Sequence, residues 1–398
     1  MIPTLLYVAG FHFEQRDFKR LGAEELAHRF PVQILDCSTW VQPDIHRPDP
    51  GTPGRVDVGS HEALVQELDR LDGPAVAFDY MSDWPEGMAI RQELRRRNIP
   101  RIVYVSGVVP PPSKPRLFVR VREALHLPAL SGKFSARLAR IFARPQSAQL
   151  SDAPPEVAIL SGHAGARSPL IQAKTCIWAH TLDFETALRL GAPKPPEQPY
   201  AVFIDEDMIH HPDYAFCKVR PPTTAKRYYP ALQRVFDSLE EQTGLKVIIA
   251  AHPRAYLDQN PPSFGARTIV AGRTAELIRD AALVLSHAST SQSFTVIWRK
   301  PLLLLTSQDL DNSWMGCHIT ARAEYLGRPV VDIDNFDSTA LSPDRWNQID
   351  DVLYTEYQRQ FICTPDSLGR PLWPYLAKFL ETESSLYGRT PEPYQPAR

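Results

Sequence analysis

The sequence predicts an α/β protein with two doubly wound, Rossmann-like domains that face each other across a cleft. Short apolar runs such as Thr4–Val8 and Pro301–Thr306 carry no charge, which is typical of strands buried on both faces of a parallel sheet. Segments with apolar residues at helical spacing alternate with these runs. The chain has 398 residues, which is enough for two domains with a core each.

The first domain is predicted to span residues 1–190. Its predicted strands lie at 4–8, 32–35, 75–78, 101–105, 156–161 and 174–180. Its predicted helices lie at 18–30, 61–71 and 87–97, and a further helix ends at Leu190. Residues 42–54 are rich in proline and aspartate and predict a loop. The alternation predicts parallel βα units with right-handed crossovers.

A stiff linker is predicted at 191–199, because the segment GAPKPPEQP holds four prolines in nine residues. The second domain is predicted to span 200–385, and a tail follows at 386–398. Its predicted strands lie at 200–204, 247–251, 282–285, 301–306 and 328–333. Its predicted helices lie at 228–243, 274–281, 343–361 and 371–382.

A basic segment at 110–150 interrupts the first domain. Between 114 and 144 the chain has eight lysines and arginines but only one acidic residue, Glu123. Apolar residues are interleaved with the basic ones. Two interpretations are open for this helical excursion. It can lie on an anionic membrane surface, or it can be a surface helix whose apolar side packs on the domain.

Composition narrows the class of protein. The net charge of −2 argues against nucleic acid as a partner. Five separated cysteines without a CxxC pair indicate reduced thiols in a cytosolic protein. The N-terminus lacks the pattern of a signal peptide, and no apolar run is long enough to span a bilayer. The sequence therefore predicts a cytoplasmic protein, either free or peripheral to the inner membrane.

The segment Lys246–Ser293 carries the main functional signal. One apolar run ends at His252-Pro253-Arg254, and the next ends in a hydroxyl-rich cluster that includes Ser289, Thr290 and Ser291. Ligands of open α/β sheets bind outside the carboxyl ends of the strands, and backbone N–H groups and hydroxyls there favour phosphate. We expect His252, Arg254 and Ser289–Ser291 to hold a donor phosphate. The alternative for the hydroxyls is helix capping.

Carboxylates at other strand ends are candidate bases. Asp205, Glu206 and Asp207 follow the strand at 200–204 and are the predicted catalytic group. The candidates on the acceptor side are Arg16, Asp17, Asp79 and Asp183. Loop caps and surface salt bridges are the alternative interpretation of each.

The His-Pro strand end followed by the Ser/Thr strand end resembles bacterial GT-B glycosyltransferases of capsule and O-antigen synthesis, of the sialyltransferase and Kdo-transferase type. The resemblance covers residues 200–310. It implies a GT-B fold and a CMP-activated acidic sugar as donor. It also implies phosphate binding by His252 and by Ser289 with Thr290. The acidic motif that supplies the base in those families is nearest to Asp205-Glu206-Asp207, which is followed by Met208 instead of glycine.

We expect neither a metal nor a cofactor. Asp-x-Asp occurs at 205–207, 309–311 and 332–334. Three occurrences in a chain with 46 acidic residues indicate a chance pattern and not a metal site. A phosphate site of histidine, arginine and hydroxyls also needs no metal. The expected partners are a nucleotide-sugar donor and a glycan or lipid-linked acceptor. Two alternatives are open: a teichoic-acid-type polyol-phosphate transferase with a CDP-linked donor, and a non-catalytic nucleotide- or sugar-binding protein.

The membrane interpretation of the basic segment makes a prediction. Vesicles with anionic lipid should bind the protein, and reversing the charge of Arg137 and Arg140 should weaken that binding because each basic residue contributes about 1 kcal/mol near such a surface. Co-sedimentation at two salt concentrations measures this. Binding that is unaffected by both salt and charge reversal would exclude the membrane interpretation.

Overall fold

The computed structural model confirms the predicted α/β class with two Rossmann-like domains. It describes residues 2–43, 51–82, 85–113, 154–167, 172–211, 214, 219–255, 261–367 and 369–387. The basic segment from 114 to 150 lies outside these residues, and so does the tail from 388. None of the helices in the described ranges is both long enough and apolar enough to cross a membrane. The predicted cleft between the domains stays a prediction.

Two parallel sheets organise the described chain. The strands are β1 (Thr4–Ala9), β2 (Val32–Asp36), β3 (Arg55–Asp57), β4 (Ala75–Tyr80), β5 (Arg101–Val105), β6 (Val157–Ser161), β7 (Thr175–Ala179), β8 (Tyr200–Ile204), β9 (Lys246–Ala250), β10 (Ile269–Val270), β11 (Leu283–Ser286), β12 (Leu302–Thr306) and β13 (Val330–Asp332). The first sheet has the order β3-β2-β1-β4-β5-β6-β7, and the second has the order β10-β9-β8-β11-β12-β13. Both orders run outward from the strand that comes first in the chain, as in doubly wound folds.

Most helices lie between successive strands, as the alternating pattern predicts, and the last three follow the final strand. They are α1 (Gln15–Arg20), α2 (Ala23–Leu26), α3 (Ser38–Val41), α4 (His61–Asp69), α5 (Pro85–Arg96), α6 (Gly162–Gly165), α7 (Leu182–Leu190), α8 (Ala225–Thr243), α9 (Thr274–Asp280), α10 (Gln292–Ile297), α11 (Gln308–Asp311), α12 (Trp314–Leu326), α13 (Pro343–Trp346), α14 (Asp351–Phe361) and α15 (Leu372–Thr382). Short 3₁₀ helices lie at Ser338–Leu341 and Ser384–Leu386.

The chain forms two compact units whose bounds differ from the predicted domains. Unit 1 comprises the described residues within Met1–Val108, Ser147–Glu185 and Ile362–Arg398, and unit 2 those within Val109–Gln146 and Thr186–Phe361. The division therefore falls inside α7, before the predicted linker at 191–199. Residues 362–385, predicted in the second domain, group with unit 1.

Unit 1 buries both faces of its sheet. On β1, Leu5 and Tyr7 point into one core cluster, whereas Leu6 and Val8 point into the cluster on the opposite face. This alternation follows from the two-residue repeat of a strand. It explains why the strand appears in the sequence as a continuous apolar run.

Helix α15 completes the core of unit 1. Trp373 is fully buried there, and a Cβ added to Gly22 would lie 2.1 Å from its indole Cδ2. Gly22 has a φ of 74°, a left-handed conformation that favours glycine. The backbone N–H of Leu372 donates to the Glu185 carboxylate at 2.8 Å. The grouping of residues 362–387 with unit 1 rests on this packing.

The packing of α15 predicts the effect of truncating its tryptophan. Trp373→Ala should lower the free energy of unfolding by about 3–5 kcal/mol, because the change leaves a large cavity in a dense core. Urea unfolding measures the loss. Lys378→Ala on the exposed face of the same helix is the matched control and should change stability by less than about 0.5 kcal/mol. Equal effects of the two substitutions would contradict the assignment of α15 to the core.

Candidate active site

Three strand ends of unit 2 meet at one edge of its sheet. Strand β8 lies between β9 and β11, with Ile204 paired to Ala250 on one side and Phe203 paired to Leu285 on the other. All three strands are parallel, so their carboxyl ends lie together. The chain order reverses between β8 and β11, and this switch point is where doubly wound sheets bind ligands.

Glu206 connects the end of β8 to the loop after β11. Its Oε1 atom accepts hydrogen bonds from the backbone N–H groups of His287 at 3.1 Å and Ala288 at 2.9 Å. The Ser286 hydroxyl donates to the same atom at 3.5 Å. The first two N–H groups after β11 therefore hold a carboxylate of the chain itself.

Asp205 is buried at the end of β8, with an exposed fraction of 5%. Its Oδ1 atom accepts from the Asp207 N–H at 3.0 Å, and its carboxylate also accepts from the backbone N–H of His252. Burial raises the pKa of Asp205 to about 7, although these hydrogen bonds oppose the rise. Burial likewise raises the pKa of Glu206 to about 7. Such values suit proton transfer near neutral pH.

Asp207 begins the turn that leaves the site. It adopts a left-handed φ of 48°, which aspartate tolerates better than most residues. Its Oδ1 atom accepts from the His210 N–H at 3.1 Å, so this carboxylate shapes the loop.

His252 lies at the end of β9, beside Asp205. The backbone N–H of Arg254 donates to its Nδ1 at 3.3 Å, so Nε2 carries the proton in the neutral ring and is a donor. The ring centroid of His211 lies 4.6 Å from that of His252. Proline 253 and this bond fix the turn that orients the imidazole.

The hydroxyl cluster combines internal hydrogen bonds with one exposed residue. Ser289 Oγ accepts from the Ser291 N–H at 3.2 Å, and Gln292 Nε2 donates to Ser286 Oγ at 3.0 Å. Neither bond caps α10, whose N-cap residue Ser291 makes no side-chain capping bond. Thr290 is exposed at the tip of the loop.

His287 has a structural role. Its Nδ1 lies 2.7 Å from the Leu305 carbonyl, and the Tyr228 hydroxyl lies 2.8 Å from its Nε2. A carbonyl can only accept, so Nδ1 carries the proton and Nε2 accepts from Tyr228. Burial lowers the pKa of His287 to about 4. The neutral ring joins the ends of β11 and β12 to α8.

Arg322 on α12 is a residue that the sequence interpretation missed. It is 2% exposed, and its Nη2 donates to the Ala288 carbonyl at 3.4 Å. The sequence offered a signal, an arginine within the largely uncharged segment WMGCHITARA, but no helix was predicted there.

The four acceptor-side candidates all have local partners within unit 1. Asp17 accepts from the Glu14 N–H and from Arg16 in the capping box of α1. Asp79 is buried and binds Arg91 at 2.8 Å and Arg101 at 2.9 Å. Asp183 accepts from Arg20 at 3.2 Å. Arg16 is the most exposed of the four candidates.

The Asp-x-Asp segments take part in local hydrogen bonds. Asp309 accepts from Thr223 and Arg227, and Asp311 accepts from Thr306. Asp332 and Asp334 accept from backbone N–H groups. Among the described residues, no group of three or more acidic, histidine or cysteine side chains could hold a metal ion.

Two parallel Rossmann-like sheets in one chain define the GT-B-like class of fold. No family model matches the sequence, and no curated protein matches it. Among solved structures, the chain is similar to CalG4, the calicheamicin glycosyltransferase, at 12% identity with a TM-score of 0.50, covering 98% of this chain and 99% of that one. It is also similar to the wall teichoic acid polymerase TagF at 12% identity with a TM-score of 0.53, covering 96% and 89%. At this identity the similarity shows the fold.

The raised pKa values predict a pH-dependent stability. The folded chain keeps protons on Asp205 and Glu206 up to about pH 7, whereas unfolded carboxyls lose them near about pH 4. The free energy of unfolding should therefore fall as pH rises between these values. Asp205→Asn should remove part of this fall, up to about 1.4 kcal/mol per pH unit.

Urea unfolding between pH 4.5 and pH 8 tests this prediction. The control is Glu241→Gln, which removes an exposed carboxyl on α8. It should leave the pH dependence of the free energy of unfolding unchanged. Parallel curves for the parent chain and Asp205→Asn would show that Asp205 titrates at its ordinary pKa.

Proposed function

We propose that the chain is a glycosyltransferase that moves a sugar from a nucleotide donor to a glycan or lipid-linked acceptor. The observation that carries the proposal is the meeting of Asp205, His252 and the hydroxyl-rich loop at the switch point of unit 2. Such a crevice is where doubly wound sheets bind nucleotides. The fold shared with solved glycosyltransferases supports it.

Unit 2 supplies the donor site in this proposal. The leaving nucleotide phosphate gains negative charge as the glycosidic bond breaks, and fixed donors stabilise that charge. His252 offers its Nε2–H, and Arg254 and the hydroxyls of Ser289–Ser291 lie at the two flanking strand ends. The nucleotide sugar is the co-substrate, and the reaction needs neither a metal nor a cofactor.

Asp205 is the proposed general base. The Glu206 carboxylate accepts hydrogen bonds from the loop after β11, and the Asp207 carboxylate accepts one within its own turn. In the transfer step, the acceptor hydroxyl gives its proton to the Asp205 carboxylate. The hydroxyl oxygen then bonds to the anomeric carbon, while the bond from that carbon to the phosphate oxygen breaks. A pKa of about 7 makes Asp205 a stronger base than an ordinary carboxylate.

The acceptor is assigned to unit 1, with Arg16 as its foremost contact. Arg16 is exposed, whereas Asp17, Asp79 and Asp183 serve local structure. A CMP-activated acidic sugar is the proposed donor, and capsule or O-antigen the proposed product, both on the resemblance of residues 200–310. The basic segment 114–144 would bring the protein to the inner membrane from the cytoplasm.

A polyol-phosphate transferase is the second candidate. The similarity to TagF favours it, because structures of that polymerase include one soaked with CDPG. Both candidates need a site for a cytidine nucleotide phosphate, and they differ in the group transferred.

Thermal stabilisation by nucleotides tests the donor site. A ligand that binds only the folded state raises its stability by mass action, by about 2.7 kcal/mol at 100 times its Kd. CMP should stabilise the parent chain more than UDP, GDP or ADP, and His252→Ala should abolish the shift. His28→Ala, an exposed histidine of unit 1, is the control. A preference for CDP would favour the polyol-phosphate transferase, and no shift with any nucleotide would refute the donor site.

Asp205→Asn distinguishes an enzyme from a binding protein when thermal stabilisation by nucleotides and sugar transfer are both measured. It should keep the nucleotide shift and lower transfer by about 10²–10⁴-fold, the usual contribution of general base catalysis. Unchanged transfer would exclude Asp205 as the base. A nucleotide shift without transfer to any glycan acceptor would favour the non-catalytic alternative.

A further inference from the structure

Arg322 has unused hydrogen-bond donors in a buried position. It is 2% exposed on α12, and Nη2 reaches the Ala288 carbonyl at 3.4 Å. Its Nε and Nη1 atoms have no hydrogen-bond partner among the described residues. The guanidinium therefore lies against the loop after β11 with two donors unsatisfied.

A buried guanidinium with unsatisfied donors is costly, and a second buried arginine of unit 2 satisfies all three of its nitrogens. Arg328, six residues further on, is also buried. Its three guanidinium nitrogens donate to the carbonyls of Leu302, Gln348 and Trp346. The contrast indicates that Arg322 has a partner that the described chain does not supply.

No carboxylate in the described ranges forms an ion pair with Arg322. Glu206 is close enough for the Arg322 charge to oppose the rise in its pKa, but its Oε1 is bound to N–H groups. Glu324 on the same helix accepts from Ser113 at 3.1 Å. His318, one turn before Arg322, has a pKa lowered by burial and then by the Arg322 charge. These surroundings give Arg322 no ion pair within the described residues.

The same loop already binds a carboxyl group of the chain. The His287 and Ala288 N–H groups hold the Glu206 carboxylate, so the backbone here has the conformation that receives negatively charged oxygens. Arg322 contacts the carbonyl of Ala288 in that loop. A carboxyl-binding N–H group and an arginine with unsatisfied donors thus meet at Ala288.

We propose that Arg322 and the loop at 286–291 bind the phosphate or diphosphate of a nucleotide, with Arg322 supplying the positive charge. This inference rests on the proposed function and adds a residue to its donor site. A guanidinium presents parallel N–H groups that match two phosphate oxygens, and such charge-assisted bonds are the strong ones. In the bound state, Nε and Nη1 of Arg322 donate to the phosphate oxygens.

The dissociation constants of inorganic pyrophosphate and CMP for the full chain test the proposal, together with the unfolding midpoint without ligand. Arg322→Met should weaken binding of both probes by about 10- to 100-fold, the range expected for lost hydrogen bonds to a charged group. It should not lower the unfolding midpoint, because it removes an unsatisfied charge. The matched control Arg328→Met should lower the midpoint and leave both dissociation constants unchanged.

Binding of both probes to Arg322→Met with the parent affinity would overturn the proposal. If Arg322→Met does not fold, Arg322→Lys decides: weaker binding supports the proposal, and parent affinity overturns it. CMP bound equally by the parent chain and a folded Arg322→Met chain refutes this inference alone. A parent chain that binds neither probe refutes the donor site as well. Arg322-dependent binding of pyrophosphate without any nucleotide keeps the anion site and removes the nucleotide donor.

Discussion

The hydrogen bonds of the Glu206 carboxylate hold the switch point of unit 2 together. They join the residue after β8 to the first two N–H groups after β11, which are the strands between which the chain order reverses. Those N–H groups point out of the sheet edge and would otherwise need water or a ligand. Their conformation sets where the loop to Ser291 runs, and hence where its hydroxyls lie and where Arg322 contacts Ala288.

The acidic residues at strand ends have different partners in the two units. In unit 1, Asp36 and Asp79 are paired with arginines, and hydrogen bonds lower the pKa of Asp36 although burial opposes them. In unit 2, Asp205 and Glu206 accept mainly from neutral N–H groups, and burial raises the pKa of both. Paired acids stabilise structure, whereas buried acids without a cationic partner are poised to exchange protons. The difference favours unit 2 as the place of chemistry.

Sequence reasoning located the strand ends because apolar runs that stop at polar residues are a local signal. It therefore found Asp205, His252 and Ser289. It missed β3 and β10, since strands of three and two residues have no measurable period. It also missed α12, whose buried positions include both Ile319 and Arg322 and so show no continuous apolar face. The partner of a buried arginine is a property of three-dimensional packing.

Helix α15 shows a second limit of sequence reasoning. An amphipathic pattern predicted a helix at 371–382, and the structure has it at Leu372–Thr382. The pattern shows that one face must be buried, but it does not show in which core. The glycine at position 22, which leaves room for Trp373, is 351 positions earlier in the chain.

The position of Trp373 also determines the order in which the chain can fold during synthesis. Unit 2 is complete once Phe361 has been translated, whereas unit 1 still lacks one wall of its core. Until α15 has been translated, side chains that pack on Trp373, such as Tyr104, lack that contact. The first strands to be made thus belong to the last unit to close, and a nascent chain stalled before residue 372 leaves part of the apolar core of unit 1 uncovered.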